Sequence, residues 1–135
     1  MPPAADNSLK NTFKKRDKLK SSLEIETVYR ENQFFVAFPL KCYYSFSEIK
    51  ENKSAVQAAF TVPKKNFKHA VERNTLKRRM REAYRLSFKN IFETFINQKD
   101  KQLKLFFIYI GKEVLDYGCI EKNMQIVLRK IATVL

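Results

Sequence analysis

Residues 103–110, LKLFFIYI, restrict the fold most, because nearly every position in this run is apolar. A strand that is apolar on both faces is typical of the interior of a sheet, where both faces are covered. Apolar periodicity predicts two further strands over residues 34–46, FFVAFPLKCYYSF, and 55–62, AVQAAFTV. Pro39 indicates an edge position or a bulge in the first of them. We therefore expect one sheet with the 103–110 strand inside it.

The two faces of the 34–46 strand differ in character. Alternation predicts that every second residue from Phe34 to Phe46 faces the core. The opposite face then carries Phe35, Lys41 and Tyr43, so aromatic and basic groups share it.

Three helices are predicted around the strands. Ser21 or Ser22 is placed to cap a short helix over LEIETVYREN, a long helix runs from about residue 70 to about 96, and a final helix ends the chain. The order helix-strand-strand-helix-strand-helix predicts an α+β fold, a single-domain α/β sandwich over residues 13–135. Residues 1–12 are polar and Pro-containing, which predicts a disordered tail.

The net charge of +13 is concentrated in two short segments. Residues 63–90 contain ten Lys or Arg against two acids, residues 9–20 contain six against one, and the remaining charges cancel. Such basic blocks indicate a polyanionic partner. Nucleic acid is the first expectation, and an anionic membrane surface is the second.

The long helix has two separate faces. At 100° per residue, one sector of about 100° holds its apolar positions, namely Leu76, Met80, Ala83, Tyr84, Ser87 and Ile91. The next sector holds Asn74, Lys77, Arg78, Arg81 and Arg85. Like charges four residues apart repel, and only Glu82 offers relief, by pairing with Arg78. We expect this basic face to bind phosphates rather than to be a solvated surface.

The basic helix lies between strands, without the second helix that a helix-turn-helix DNA reader needs. Phe35 and Tyr43 on the strand face favour single-stranded RNA as the partner, with a dimeric DNA-binding regulator as an alternative.

Chemistry by protein side chains is not expected. His69 is the only histidine, and the acids of the basic region are Glu72 and Glu82, so we predict neither a catalytic residue nor a metal site. Cys42 and Cys119 lie among apolar residues, which predicts buried reduced thiols. Without a signal peptide or a long apolar run, the protein is expected in the cytoplasm and away from membranes.

Residues 58–85, AAFTVPKKNFKHAVERNTLKRRMREAYR, closely resemble the signature region of the bacterial ribonuclease P protein subunit. In that family a strand ends in Lys-Lys, and a short loop leads to Ala-Val-x-Arg-Asn-Arg-x-x-Lys-Arg-x-x-Arg-Glu. The matching residues are Ala70, Val71, Arg73, Asn74, Lys77, Arg78, Arg81 and Glu82. Thr75 replaces the third Arg of the pattern, and Arg79 is expected to supply a charge from another angle. Residues 13–133 resemble the family more loosely.

The resemblance implies the protein subunit of an RNA-based endonuclease that removes the 5′ leader of precursor tRNA. The RNA subunit, with Mg²⁺, would perform the hydrolysis, and no protein partner would be required. A left-handed crossover would enclose the basic helix. Contacts to the catalytic RNA would come from Lys64, Lys65, Arg73, Asn74, Lys77, Arg78, Arg81 and Arg85. The leader-binding cleft would hold Ile25 and Tyr29, where the family has two aromatics, and Tyr43. The alternative is another structured-RNA-binding protein, such as a ribosome-associated one, with no catalysis.

Overall fold

The computed structural model describes residues 13–49 and 54–135. A 3-10 turn at Lys15–Asp17 precedes eight elements: α1 (Ser22–Arg30), β1 (Phe34–Ala37), β2 (Leu40–Glu48), β3 (Val56–Thr61), α2 (Ala70–Ile91), α3 (Glu93–Gln98), β4 (Lys101–Tyr109) and α4 (Tyr117–Ala132). The tail predicted over residues 1–12 lies outside the described residues. The predicted elements follow one another in the predicted order, except that residues 34–46 form two strands and that α3 is a separate helix.

The four strands form one sheet in the order β1-β2-β4-β3. β4 lies inside it, antiparallel to β2 and parallel to β3, as its two apolar faces predicted. Leu105 and Phe107 of β4 are buried in the larger core, while Phe106 and Ile108 pack into a second cluster on the opposite face. The parallel strands β3 and β4 are joined through α2, which is the connection that the implied crossover requires. The α+β sandwich is confirmed.

The prediction of one strand over residues 34–46 is wrong, because this segment is a hairpin. Phe34 lies opposite Tyr43 and Ala37 lies opposite Leu40, so the chain reverses at Phe38 and Pro39. Pro39 has no N–H to donate to a sheet ladder, which suits it to the turn rather than to the strand.

The reversal also changes which side chains of β1 face the core. Opposite residues of a hairpin share a face of the sheet, so Phe34 lies beside Tyr43 on the open face. Phe35 points to the core side, where its ring stacks on Tyr44 with centroids 5.7 Å apart. The expectations that Phe34 faces the core and that Phe35 joins the aromatic and basic face are therefore wrong.

The larger core lies between the sheet and the helices α2 and α4. The predicted apolar sector of α2 is buried from Leu76 to Ser87, with Phe88 in addition. α2 ends at Ile91 rather than near residue 96, since the separate helix α3 begins at Glu93. The buried residues of α4 are Ile120, Met124, Val127, Leu128 and Ile131. Val134 and Leu135 follow the helix and are exposed.

The N-terminal basic segment runs beside the outer edge of β3. Lys18 forms a parallel bridge with Ala58, and the Leu19 amide donates a 2.9 Å hydrogen bond to the Ala58 carbonyl. The buried Gln57 side chain donates to the carbonyl oxygen of Arg16 at 2.9 Å. This covering satisfies part of an edge that would otherwise expose unpaired backbone groups. It also places the second basic segment next to the sheet.

Candidate nucleic-acid interface

α2 carries the basic face in the sector next to its buried one. At 100° per residue, one sector of about 100° holds all five predicted residues: Asn74, Lys77, Arg78, Arg81 and Arg85. Asn74, Arg78 and Arg81 are exposed, and the other two are half-exposed. The exposed Lys64 and Lys65 follow β3 in the loop that leads into α2. Their charges therefore extend the basic face toward the sheet.

Arg73 organises the loop that leads into α2. Its Nη1 donates to the carbonyl oxygens of Phe67 at 2.7 Å and of Lys68 at 2.9 Å. Backbone carbonyls that face a guanidinium are held by charge-assisted hydrogen bonds. Arg73 thus fixes the end of the loop at Phe67 and Lys68, a role that sequence spacing did not reveal.

Glu82 pairs with Arg85 and not with Arg78, so the predicted pairing is wrong. Arg85 donates from Nε and from Nη2 to the two carboxylate oxygens of Glu82, at 2.8 and 2.7 Å. This hydrogen bonding lowers the pKa of Glu82 and raises the pKa of Arg85. The fork is a bidentate geometry, which fixes the guanidinium in place. Lys77, Arg78 and Arg81 form no ion pair with a described acid.

Arg79 lies on the far side of α2 and serves the fold. Its Nη1 donates a 2.6 Å hydrogen bond to the carbonyl oxygen of Leu115, in the segment before α4. The guanidinium is half-buried there. The expectation that Arg79 supplies a charge to the partner from another angle is not supported by this placement.

The predicted cleft residues meet between α1 and the open face of the sheet. Ser21 caps α1 by accepting a hydrogen bond from the Glu24 amide at 3.3 Å, as predicted. The ring centroids of Tyr29 and Tyr43 lie 4.9 Å apart, and Ile25 packs against the cluster that contains Tyr43. Tyr43 is only 4% exposed, whereas Tyr29 is 52% exposed. Tyr43 is therefore buried beneath its neighbours, and Tyr29 offers the accessible ring.

Two neighbours of Tyr43 on the hairpin continue this surface, which we call the hairpin platform: Phe34 and Lys41. The centroid of the Phe34 ring lies 5.3 Å from the centroid of the Tyr43 ring. The Lys41 ammonium lies 4.1 Å from the centre of the Phe34 ring and 4.9 Å from that of Tyr43. Sequence reasoning placed Phe34 in the core. Interpreting Pro39 as a turn residue would have predicted the hairpin and so placed Phe34 on the open face.

The N-terminal basic segment borders a cavity of about 490 Å³ beside the start of α1. Its lining combines four cations with three uncharged or acidic residues: Lys15, Arg16, Lys18, Lys20, Ser21, Glu24 and Gln57. Positive charge therefore lies near α1 as well as on α2.

Over residues 13–49 and 54–135, no group of three or more His, Cys, Asp or Glu is arranged to hold a metal ion. His69 is exposed and precedes α2. No helix in the same residues is long and apolar enough to cross a membrane.

Comparison with known proteins gives a consistent result. The family model described as Ribonuclease P matches residues 13–132. A protein of Porphyromonas gingivalis named Ribonuclease P protein component is 34% identical over 119 residues, covering 87% of this chain and 85% of that protein. A protein of the same name from Chlorobium phaeobacteroides is 38% identical over 84 residues, or 61% of this chain and 58% of that one.

Two solved structures share the fold. The Staphylococcus aureus RNase P protein superposes with a TM-score of 0.65 at 19% identity, covering 87% of this chain and 96% of that one. A mutant of that protein, described as defective in mRNA degradation activity, gives a TM-score of 0.59 at 21% identity over 98% of both chains.

Proposed function

The chain belongs to the ribonuclease P protein family and is the protein component of that ribonucleoprotein endoribonuclease, and from this premise we propose how it holds its two RNAs. The RNA subunit carries the catalysis, and the holoenzyme matures the 5′ end of tRNA. The alternative of a ribosome-associated RNA-binding protein is not favoured by these relatives.

The basic face of α2 contacts the catalytic RNA. The observation that carries this proposal is the row of Lys77, Arg78 and Arg81, which have no ion pair with a described acid. Phosphate oxygens would relieve the repulsion within this row, and guanidinium forks suit them. Asn74 can donate and accept hydrogen bonds beside these cations. Lys64 and Lys65 extend the same contact along the loop.

Arg73 and Arg85 take part in this surface differently. Arg73 holds the carbonyls of Phe67 and Lys68, so it acts on the RNA chiefly by fixing the end of the loop that follows Lys64 and Lys65. Arg85 is engaged by Glu82, which reduces the net charge that it offers to phosphate.

The 5′ leader of precursor tRNA lies in the cleft between α1 and the sheet. Aromatic rings bind single-stranded RNA by stacking on bases without strong sequence preference. Tyr29 supplies the exposed ring, Ile25 an apolar contact, and the buried Tyr43 supports Tyr29 from below.

Mg²⁺ serves the RNA subunit, and the positive charge of the protein lowers the amount of Mg²⁺ that the complex needs. Both the ions and the basic face neutralise phosphates that repel one another in the assembled RNA. We further propose that the ribonuclease P RNA and precursor tRNA suffice as partners, without another protein, and that the protein works in the cytoplasm.

Assembly with a bacterial ribonuclease P RNA, measured across a range of salt concentrations, tests the role of α2. Lys77→Ala, Arg78→Ala and Arg81→Ala should each weaken assembly and lower the salt slope by about 0.7 to 0.9. Arg129→Ala is the matched control, since Arg129 is an exposed arginine on α4. It should leave assembly unchanged.

Circular dichroism of the same variants separates binding from folding. Helix content should stay at the wild-type level, because these three side chains lie outside the core. Equal losses of assembly for the control and the α2 variants would overturn the assignment of this face.

A further inference from the structure

We propose that the hairpin platform is a second nucleotide-binding site, which extends the leader cleft past Tyr29 along the open face of the sheet. It would take one nucleotide of single-stranded RNA, with its base on the Phe34 ring and its phosphate on the Lys41 ammonium. This inference rests on the proposed leader cleft and adds to it a site that the family resemblance did not include.

Phe34 is an aromatic residue without a structural task in the core. It is 40% exposed and belongs to neither of the two hydrophobic clusters. β1 is an edge strand, so the Phe34 ring has a cross-strand neighbour on one side only, namely Tyr43. Tyr29 and Val36 are exposed as well, and a group of exposed apolar side chains marks a binding surface.

The platform is continuous with the cleft. Phe34, Tyr43 and Phe106 occupy facing positions on three neighbouring strands. α1 covers this row at Tyr43, where Tyr29 makes its ring contact, and the Phe34 ring contacts the same Tyr43 ring. An RNA strand with one base on Tyr29 would therefore meet Phe34 next along the same row.

Lys41 supplies the charge that a nucleotide needs. Its ammonium lies over Phe34 and near Tyr43, on a flexible stem. It forms no ion pair with a described acid. Stacking of a base on an aromatic ring is stronger than an exposed cation–π contact, so a base can displace the ammonium from the ring. The displaced ammonium would remain close enough to contact the phosphate of the same nucleotide.

An aromatic ring with an adjacent cation selects single-stranded RNA over a duplex, since only unstacked bases can reach the ring. A protein partner would instead use the apolar side chains of β1 and would need no base-like plane. The test therefore varies the planarity of residue 34 and the length of the leader.

The experiment uses the reconstituted holoenzyme, with a bacterial ribonuclease P RNA and Mg²⁺. The holoenzyme concentration that gives half-maximal single-turnover cleavage is measured for precursor tRNAs with a leader of about ten nucleotides or of two. Phe34→Ala and Phe34→Leu should raise this concentration by about 5- to 20-fold for the long leader. For the short leader, both variants should keep this concentration within about twofold of the wild-type value. Phe34→Trp should restore wild-type behaviour, because it keeps a stacking plane.

Lys41→Gln should weaken binding of the long-leader precursor tRNA and reduce the salt slope of that binding by about 1. Lys41→Arg should keep the wild-type affinity and the wild-type slope. Val36→Ala is the matched control, since Val36 is an exposed aliphatic residue on the same strand and face. It should behave as the wild type does.

The inference fails if Phe34→Ala keeps the wild-type preference for the long leader, or if Phe34→Leu binds it as well as the wild type. It also fails if Val36→Ala loses as much as Phe34→Ala, because strand packing would then explain both. In these cases the proposed leader cleft can still be correct. It is supported if the wild-type holoenzyme prefers the long leader and Tyr29→Ala abolishes that preference. A wild-type holoenzyme without any leader preference would overturn the cleft and the platform together.

Discussion

Arg85 and Glu82 form a two-pronged ion pair on α2, with both carboxylate oxygens of Glu82 accepting hydrogen bonds from the Arg85 guanidinium. The pair lies at the edge of an otherwise basic face. Glu82 therefore subtracts one charge from the surface that we assign to the catalytic RNA. The size of that subtraction can be measured.

Glu82→Gln should strengthen assembly with the catalytic RNA by about two- to eightfold at ~0.1 M salt. One extra phosphate contact adds up to about 0.9 to the salt slope, which sets the upper value. Titrations over several salt concentrations measure both quantities. Glu93→Gln, an exposed acid on α3, is the control and should change neither. A Glu82→Gln variant with unchanged slope would show that RNA does not reach this part of α2.

Arg79→Ala should lower the free energy of unfolding by about 1 to 2 kcal/mol, because it removes a charge-assisted hydrogen bond to the Leu115 carbonyl. Arg78→Ala, at the exposed neighbouring position, should change it by less than about 0.5 kcal/mol. Urea denaturation of the two variants gives the comparison. Equal stabilities would mean that the contact between α2 and the segment before α4 contributes nothing measurable.

Tyr84→Phe should raise the free energy of unfolding by about 1 kcal/mol. The Tyr84 hydroxyl is buried and finds no hydrogen-bond partner among the described residues, and burial raises its pKa well above the usual value. The ring itself stacks on Phe88 with centroids 4.4 Å apart, a contact that phenylalanine keeps. Removing an unsatisfied hydroxyl removes its desolvation cost. A loss of stability in thermal melts would instead reveal a partner for this hydroxyl.

The two cysteines should differ in their reactivity toward a thiol reagent. Cys42 is fully buried, and burial raises its pKa well above the usual value, so the reactive thiolate is scarce. Cys119 is half-exposed, contrary to the expectation that both thiols are buried. The native protein should react quickly at one thiol, and Cys119→Ser should abolish that phase. Rapid modification of both thiols in the native protein would contradict this packing.

Periodic features of the sequence predicted the fold well. The run LKLFFIYI identified the interior strand β4, and the 100° spacing from Leu76 separated the buried and basic faces of α2. Both inferences depend on a repeat within one element, which sequence shows directly. Ser21, one of the two serines predicted as the cap of α1, follows from equally local chemistry.

Features that depend on contacts between elements were missed. The hairpin reversal at Pro39 exchanged the faces of Phe34 and Phe35, because a shift of one residue moves a side chain across the sheet. Arg73 and Arg79 bind backbone carbonyls whose positions only the folded chain defines. The spacing of charges could not separate these positioning arginines from those that face outward.

Cleavage of precursor tRNA at low Mg²⁺ tests the central claim most directly. A bacterial ribonuclease P RNA is assayed with and without this protein, and the cleavage site is mapped. The account predicts that the protein restores cleavage at the mature 5′ end, because its basic face replaces part of the missing Mg²⁺ in neutralising phosphates. Unchanged cleavage, at a protein concentration where binding to the RNA is saturated, would contradict it.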